Sequence, residues 1–181
     1  MQCDVWEVLR DRRDMAILHP MCTWLTLAAA WAFKDPDYER YPEVGYHQRP
    51  SADTLTGAAR REARERELEN FRRLEELPYP KAIENPSYSF LNTLHRRPDQ
   101  IIQPYEFGDD ASKATGLWLD RLRPLRKDPA LRIAGRIVNG KERWANQTDS
   151  GQNNVSPSAD RWLERSATYP GIARAFAENW G

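Results

Sequence analysis

Cys22 lies in His19-Pro20-Met21-Cys22-Thr23 and Glu84 in Glu84-Asn85-Pro86, and each segment directly follows a short apolar run. A thiolate is a nucleophile, and a carboxylic acid beside it can hydrogen-bond or protonate what the thiolate attacks. The two residues are therefore a candidate nucleophile and acid. The competing reading of Cys22 is a small buried hydrophobe, the usual fate of a free cysteine. His19 reads as a strand-end hydrogen-bonding residue or as a general base, with no acidic residue near it in sequence to orient its ring.

Such a pair works only if the fold brings the two segments together. Asp14 to His19 is an apolar run closed by Pro20, which suits a buried parallel strand, and Pro80 to Pro86 is a second one stopped by proline. Thr115-Gly-Leu-Trp-Leu119 is a third candidate strand, after the turn-rich stretch that begins at Gly108. Between the first two strands, Ser51 or Asp53 can cap a helix running to about Leu77, with Leu68, Phe71, Leu74 and Leu77 on one stripe. Its charges fall partly at i,i+4 spacing, as Glu62 with Arg66 and Glu69 with Arg73, and mixed signs favour a solvated face over a nucleic-acid patch. Strand, helix, strand predicts an α/β fold with a parallel sheet, and ligands then sit at the carboxyl ends of the strands.

The rest of the chain reads more plainly. Residues 127 to 160 are polar with no sustained period, and Gln147 to Ser158 reads as an ordered loop or a mobile flap. Pro170 suits a first helical turn, and Ile172, Phe176 and Trp180, with Ala173 and Ala177 beside them, predict a terminal helix at about 170 to 180. Trp118, Trp162 and Trp180 sit in apolar patterns and read as core, with base stacking as the other use of an exposed Trp.

The 181 residues suffice for a single domain, residues 1 to 181, with a sizeable core. Net charge is +0 with a pI near 6.8, which excludes an argument from bulk charge for nucleic-acid or membrane binding and leaves room for a local basic face. Mean hydropathy is -0.83, yet seven Trp, seven Tyr and five Phe exclude a disordered polymer. The longest apolar stretch, Met15 to Phe33, is broken by His19 and Pro20 and lacks a leader's flanks, so a cytoplasmic protein without a membrane span is expected. Two cysteines, Cys3 and Cys22, make no disulfide framework, and three scattered histidines make no zinc site.

The strand-end motifs carry a resemblance. His19-Pro20-Met21-Cys22-Thr23 with Glu84-Asn85-Pro86 resembles a family of phage and prophage proteins related to DNA (cytosine-5) methyltransferases, whose members read His-Pro-Pro-Cys-Thr and Glu-Asn-Pro there. It extends through Gln103 to Gly108, Lys113 to Leu119, Arg143 to Gln147, and Tyr169-Pro-Gly-Ile-Ala to Asn179-Trp-Gly181. In that resemblance Cys22 attacks C6 of cytosine, Glu84 holds N3 and the exocyclic amine, and Asn85 orients the loop. A duplex would flip the target base into the pocket. The implied cofactor is S-adenosylmethionine, with contacts from Asp4 and Pro20, and the implied fold is a Rossmann-like methyltransferase sheet with flanking helices.

The chain also departs from the pattern. Met21 replaces the second proline, Pro86 stands where methyltransferases carry valine, and no Gln-x-Arg-x-Arg motif occurs, which leaves Lys113 or Arg165 to take the place of the arginine near the base. No two of the nine glycines are spaced as in the cofactor's glycine-rich turn. The resemblance begins near Gln2-Cys-Asp-Val5, and implies an N-terminally truncated sheet. Asp4 reads equally as an exposed acid at a frayed terminus. Three functions follow as expectations. The first is methyl transfer to cytosine in DNA, completed by an upstream polypeptide that supplies the cofactor segment. The second is an inactive or fragmentary relative that binds nucleic acid or protein, and the third is methyl transfer to free nucleotides.

Overall fold

A computed structural model describes residues 5–9, 13–34, 55–154 and 167–181. The chain gives a short helix α1 (Val5–Leu9), strand β1 (Ala16–Leu18), a kinked 3-10 segment (Leu27–Phe33) and helix α2 (Gly57–Glu75). Strand β2 (Lys81–Pro86), helix α3 (Leu91–Leu94), strand β3 (Gln100–Ile102), a 3-10 turn (Pro104–Phe107) and strand β4 (Thr115–Asp120) follow. Beyond a second 3-10 turn (Pro129–Leu131) lie strands β5 (Arg136–Val138) and β6 (Lys141–Arg143), and the last element is helix α4 (Pro170–Trp180).

The main sheet has the order β1-β2-β4-β3. β1 and β2 run parallel in the register Ala16 to Lys81 and Leu18 to Ile83, as the strand-helix-strand pattern predicts. The sheet is nevertheless mixed rather than parallel, because β4 lies antiparallel between β2 and β3. The reason is the link from Ile102 to Thr115: it holds only a single 3-10 turn, with no crossover helix to return the chain in the same direction. β1 is half-buried, not buried as its apolar run suggests, because among the described residues it pairs on one side only.

Alternation along the strands feeds two cores. Ile83 and Trp118 face one side and pack with Leu68, Phe71 and Leu74 of α2, which bears out the helical stripe, and Leu77 joins them partly buried. Leu117 and Ile102 face the other and pack with Ile172, Ala175 and Phe176 of α4. Helices thus cover both faces. Trp118 and Trp180 both serve the packing, Trp118 Nε1 donating to the Arg96 carbonyl and Trp180 Nε1 to that of Arg123. Trp162 and the expected caps Ser51 and Asp53 lie outside the described residues, and α2 starts later than such caps would set it, at Gly57 after the extended Thr56, and ends at Glu75.

Two local readings are corrected. Glu69 pairs with Arg72 at i,i+3, while Arg73 lies 3.9 Å over the Trp6 ring, where a cation gains from the aromatic face. The polar stretch 127–160 holds the hairpin β5–β6, closed by Asn139 and Gly140 with φ of 48° and 73°. Two consecutive positive φ values are the demand of a type I′ turn, and Asn-Gly meets it. In the described part of the expected flap, Gln147 bridges Asn153 and Thr148 to Gly151 form a hydrogen-bonded turn, so these residues are an ordered loop.

At the amino end of β2, the Lys81 ammonium is 1% exposed, donates to the carbonyls of Leu77 and Tyr79, and sits 2.5 Å from Asp120. Hydrogen bonds from Lys81 and then Arg121 hold the Asp120 carboxyl below its ordinary value of 3.8. A depressed carboxylate contributes stability that is complete above the ordinary value and is lost as pH falls through the lower, folded-state value. Asp120 is half exposed, so Asp120→Asn should cost on the order of 1 kcal/mol at neutral pH. Urea unfolding should show the wild-type and variant stabilities converging as pH falls below 3.8 through that lower folded-state value.

Candidate functional site

Because β1 and β2 are parallel, their carboxyl ends open at one edge of the sheet. β3 runs with them and β4 against them, so Gln103 after β3 and Lys113 before β4 reach that same edge. The four segments carrying His19 to Cys22, Glu84 and Asn85, Gln103, and Lys113 therefore meet where an α/β sheet accepts ligands.

Glu84 is the centre of the cluster. Its side chain is 11% exposed, with Oε2 lying 3.0 Å from His19 Nδ1 and Oε1 3.9 Å from Lys113 Nζ. His19 thus has the acidic orienter that its sequence neighbourhood lacks, since the β1–β2 register sets it across from Glu84. Lys113 is fixed from behind: its backbone N–H donates to Gln103 Oε1 at 2.9 Å, and its ammonium donates to the Ala167 carbonyl at 3.2 Å. Ser112 is locked to Asn146 by a reciprocal pair of 2.9 Å hydrogen bonds. Gln103 and Glu106 form a capping box, which anchors the turn that follows β3.

Cys22 is a free, exposed thiol, which removes the reading of it as a core residue. Its carbonyl accepts from the backbone N–H groups of Leu25 and Thr26 at 3.0 and 2.9 Å, so Thr23 to Leu25 form a tight turn directly after the thiol. That turn is tied to the segment after β2 by a Thr26–Ser89 bridge and by Phe90 N–H donating to the Leu25 carbonyl at 2.7 Å. Arg60 of α2 holds it from beneath, donating to the Thr23 and Leu55 carbonyls with Trp24 and Phe33 against its guanidinium. Burial pushes the Arg60 guanidinium below its ordinary value. Pro20 borders this loop, half-buried, between the His19 and Cys22 positions.

Asn85 is 2% exposed, and neither its amide nitrogen nor its oxygen has a hydrogen-bond partner. Ser89 Oγ and Asn92 Oδ1 are buried without partners in the segment just after it. Buried polar groups in folded proteins are nearly always satisfied, so this concentration sets the segment after Glu84 apart from the rest of the described residues. Asp4 and Arg165 lie outside the described residues.

An open cavity of about 340 Å³ adjoins His19, lined by Met15, Ile17, Phe176 and Ala177, with His19 and Thr168 as its polar side chains. S-adenosylmethionine requires acceptors for its ribose hydroxyls and a cradle for its amino-acid end, and no carboxylate lines this space. Lined in this way, the cavity offers that cofactor no carboxylate, and no chemical step is derived through it. Among the described residues no group of three or more His, Cys, Asp or Glu could hold a metal ion.

Sequence reasoning pointed to Cys22, Glu84, Asn85 and Lys113, and the structure brings their segments to one edge. It missed Arg60, whose only signal was its place in a mixed-charge helix, and the support from Gln103 and Asn146. The Gln-x-x-Glu capping-box spacing at Gln103 could have revealed the former of these two. No described helix is long and apolar enough to cross a membrane. In comparisons with known proteins, the chain matches no family model, no curated protein and no solved structure.

Proposed function

We propose that the chain is the base-binding part of a DNA (cytosine-5) methyltransferase-like protein, its sheet derived from the Rossmann-like methyltransferase type. The observation that carries this reading is the parallel register that sets His19, which leads into the exposed Cys22 loop, 3.0 Å from the half-buried Glu84 carboxylate. In this reading the Cys22 thiolate adds to C6 of a flipped cytosine. The ring electrons shift through C5 and C4 onto N3, which takes a proton from Glu84, and C5 becomes an enamine carbon. Lys113 offers its charge to the ring's exocyclic oxygen, and Asn85 orients the loop that follows Glu84.

The enamine carbon reacts with whatever electrophile is present. In water that is a proton, so C5 takes one from solvent, releases its original hydrogen, and the C6–S bond breaks. Exchange of C5 tritium from labelled cytosine in DNA therefore tests the chain's own residues without any cofactor. Exchange well above the uncatalysed rate is expected. Its absence from folded protein with intact thiol would sink the reading. A second reading, a binding module without methyl transfer, is favoured by the apolar lining of the cavity beside His19, and it predicts DNA binding with no exchange.

A further inference from the structure

Residues 121 to 143 contain eight basic and two acidic residues, a net +6 inside a chain whose total is +0. This stretch leads into the β5–β6 ribbon, whose pairing sorts the side chains by face. Arg136 opposes Arg143 and Val138 opposes Lys141 on one face, while Ile137 opposes Glu142 on the other. Like charges directly across a ladder destabilise it. The ribbon tolerates them because Arg136 donates to the Trp144 and Gln147 carbonyls and to Asp149, and Arg143 to the carbonyls of Glu142 and Asp149. Lys141 is exposed and has no carboxylate partner among the described residues, so the face stays cationic despite Asp149.

The ribbon is rigid at its base and clear at its tip. Trp144 stacks on Tyr105 at 4.0 Å, and Ile133 N–H donates to the Tyr105 carbonyl. A methyl group added at Gly140 would meet nothing within 4 Å. The base also reaches the strand-end site: Ala145 N–H bonds Asp110, and Asn146 grips Ser112, next to Lys113.

We propose that the β5–β6 ribbon presents its Arg136, Val138, Lys141 and Arg143 face to the phosphate backbone of a DNA duplex and delivers that duplex to the strand-end site. A two-stranded ribbon fits the major groove, and arginine and lysine are the usual partners of phosphate. That the partner is DNA rests on the reading of the site given above, whereas the cationic face stands on its own geometry.

The test is fluorescence anisotropy of a labelled 20-base-pair duplex with the full chain over a salt titration, with the tritium exchange assay run beside it. Lys141→Gln should weaken binding about tenfold near 0.1 M salt, equally on unrelated sequences, and lower the salt slope by about one. Ile137→Ser, on the opposite face at a residue 69% exposed, should bind as wild type does. Wild-type affinity for Lys141→Gln, equal loss from Ile137→Ser, or tighter binding to vesicles of anionic lipid than to the duplex would each overturn the inference. Exchange without any ribbon effect would overturn the inference and leave the site reading standing. Ribbon-dependent binding without exchange would support the inference and remove the cytosine chemistry.

Discussion

Cys22→Ser should reduce C5 hydrogen exchange to background, and Glu84→Gln should slow it by about 10²–10³-fold, with both variants folded. The serine hydroxyl keeps the shape of the loop but is far less ionised than a thiol, so addition at C6 has no effective nucleophile. Glutamine in place of Glu84 keeps the volume of an 11%-exposed side chain and can still meet His19 across the strand pair. What it loses is the carboxyl group that passes a proton to N3, 3.9 Å from the Lys113 ammonium. Near-UV circular dichroism would establish that the two folds are intact. Exchange unaffected by Glu84→Gln would mean that N3 is protonated from elsewhere, and exchange unaffected by Cys22→Ser would remove the covalent step.

Gly171→Ala should destabilise the protein by about 3 kcal/mol and lower its melting temperature sharply. Gly171 occupies the first turn of α4, where its N–H donates to Asp109 Oδ2 at 2.9 Å. A methyl group there would overlap the Phe107 carbonyl oxygen and press on the same Asp109 carboxylate. Neither neighbour can yield cheaply. The Phe107 carbonyl is backbone in the turn capped by Gln103 and Glu106, and Gly108 after it already holds a φ of 93°. Relief must come from sliding α4, which would pull Ile172 and Phe176 out of the core they share with Leu117 and Ile102. Thermal unfolding followed by circular dichroism would measure the effect, and a variant as stable as wild type would mean that the close approach of α4 to this turn is not required.

The elements legible from sequence were those with a strong local signal. The runs ending at His19 and Pro86, the 115–119 strand, the stripe of α2 and the proline-started α4 all appear, because each buries a periodic apolar face against the sheet. β3 was not anticipated: Gln100 to Ile102 has two apolar residues and gains its place only by pairing with β4. The hairpin could have been read from Ile137-Val-Asn-Gly-Lys141, where Asn-Gly sits between two short extended runs, but its polar surroundings masked the signal. At the candidate site, Cys22 and Glu84 stood out by type and motif. The His19–Glu84 contact did not, because it exists only through strand register, and neither did the buried amide of Asn85, because burial is a property of the assembled fold.

The pairing of β1 with β2 also bears on the order of folding. Every pair in that register joins residues 65 apart in the chain, as Ala16 with Lys81, whereas α2 closes its hydrogen bonds locally. Contacts of such long range must repay a large loop-closure entropy and form slowly compared with helices. Helical signal would therefore rise before the Cys22 loop docks against β2. Proximity of the Cys22 loop to β2, rather than circular dichroism at helical wavelengths, is the kinetic marker of a chain that has finished folding.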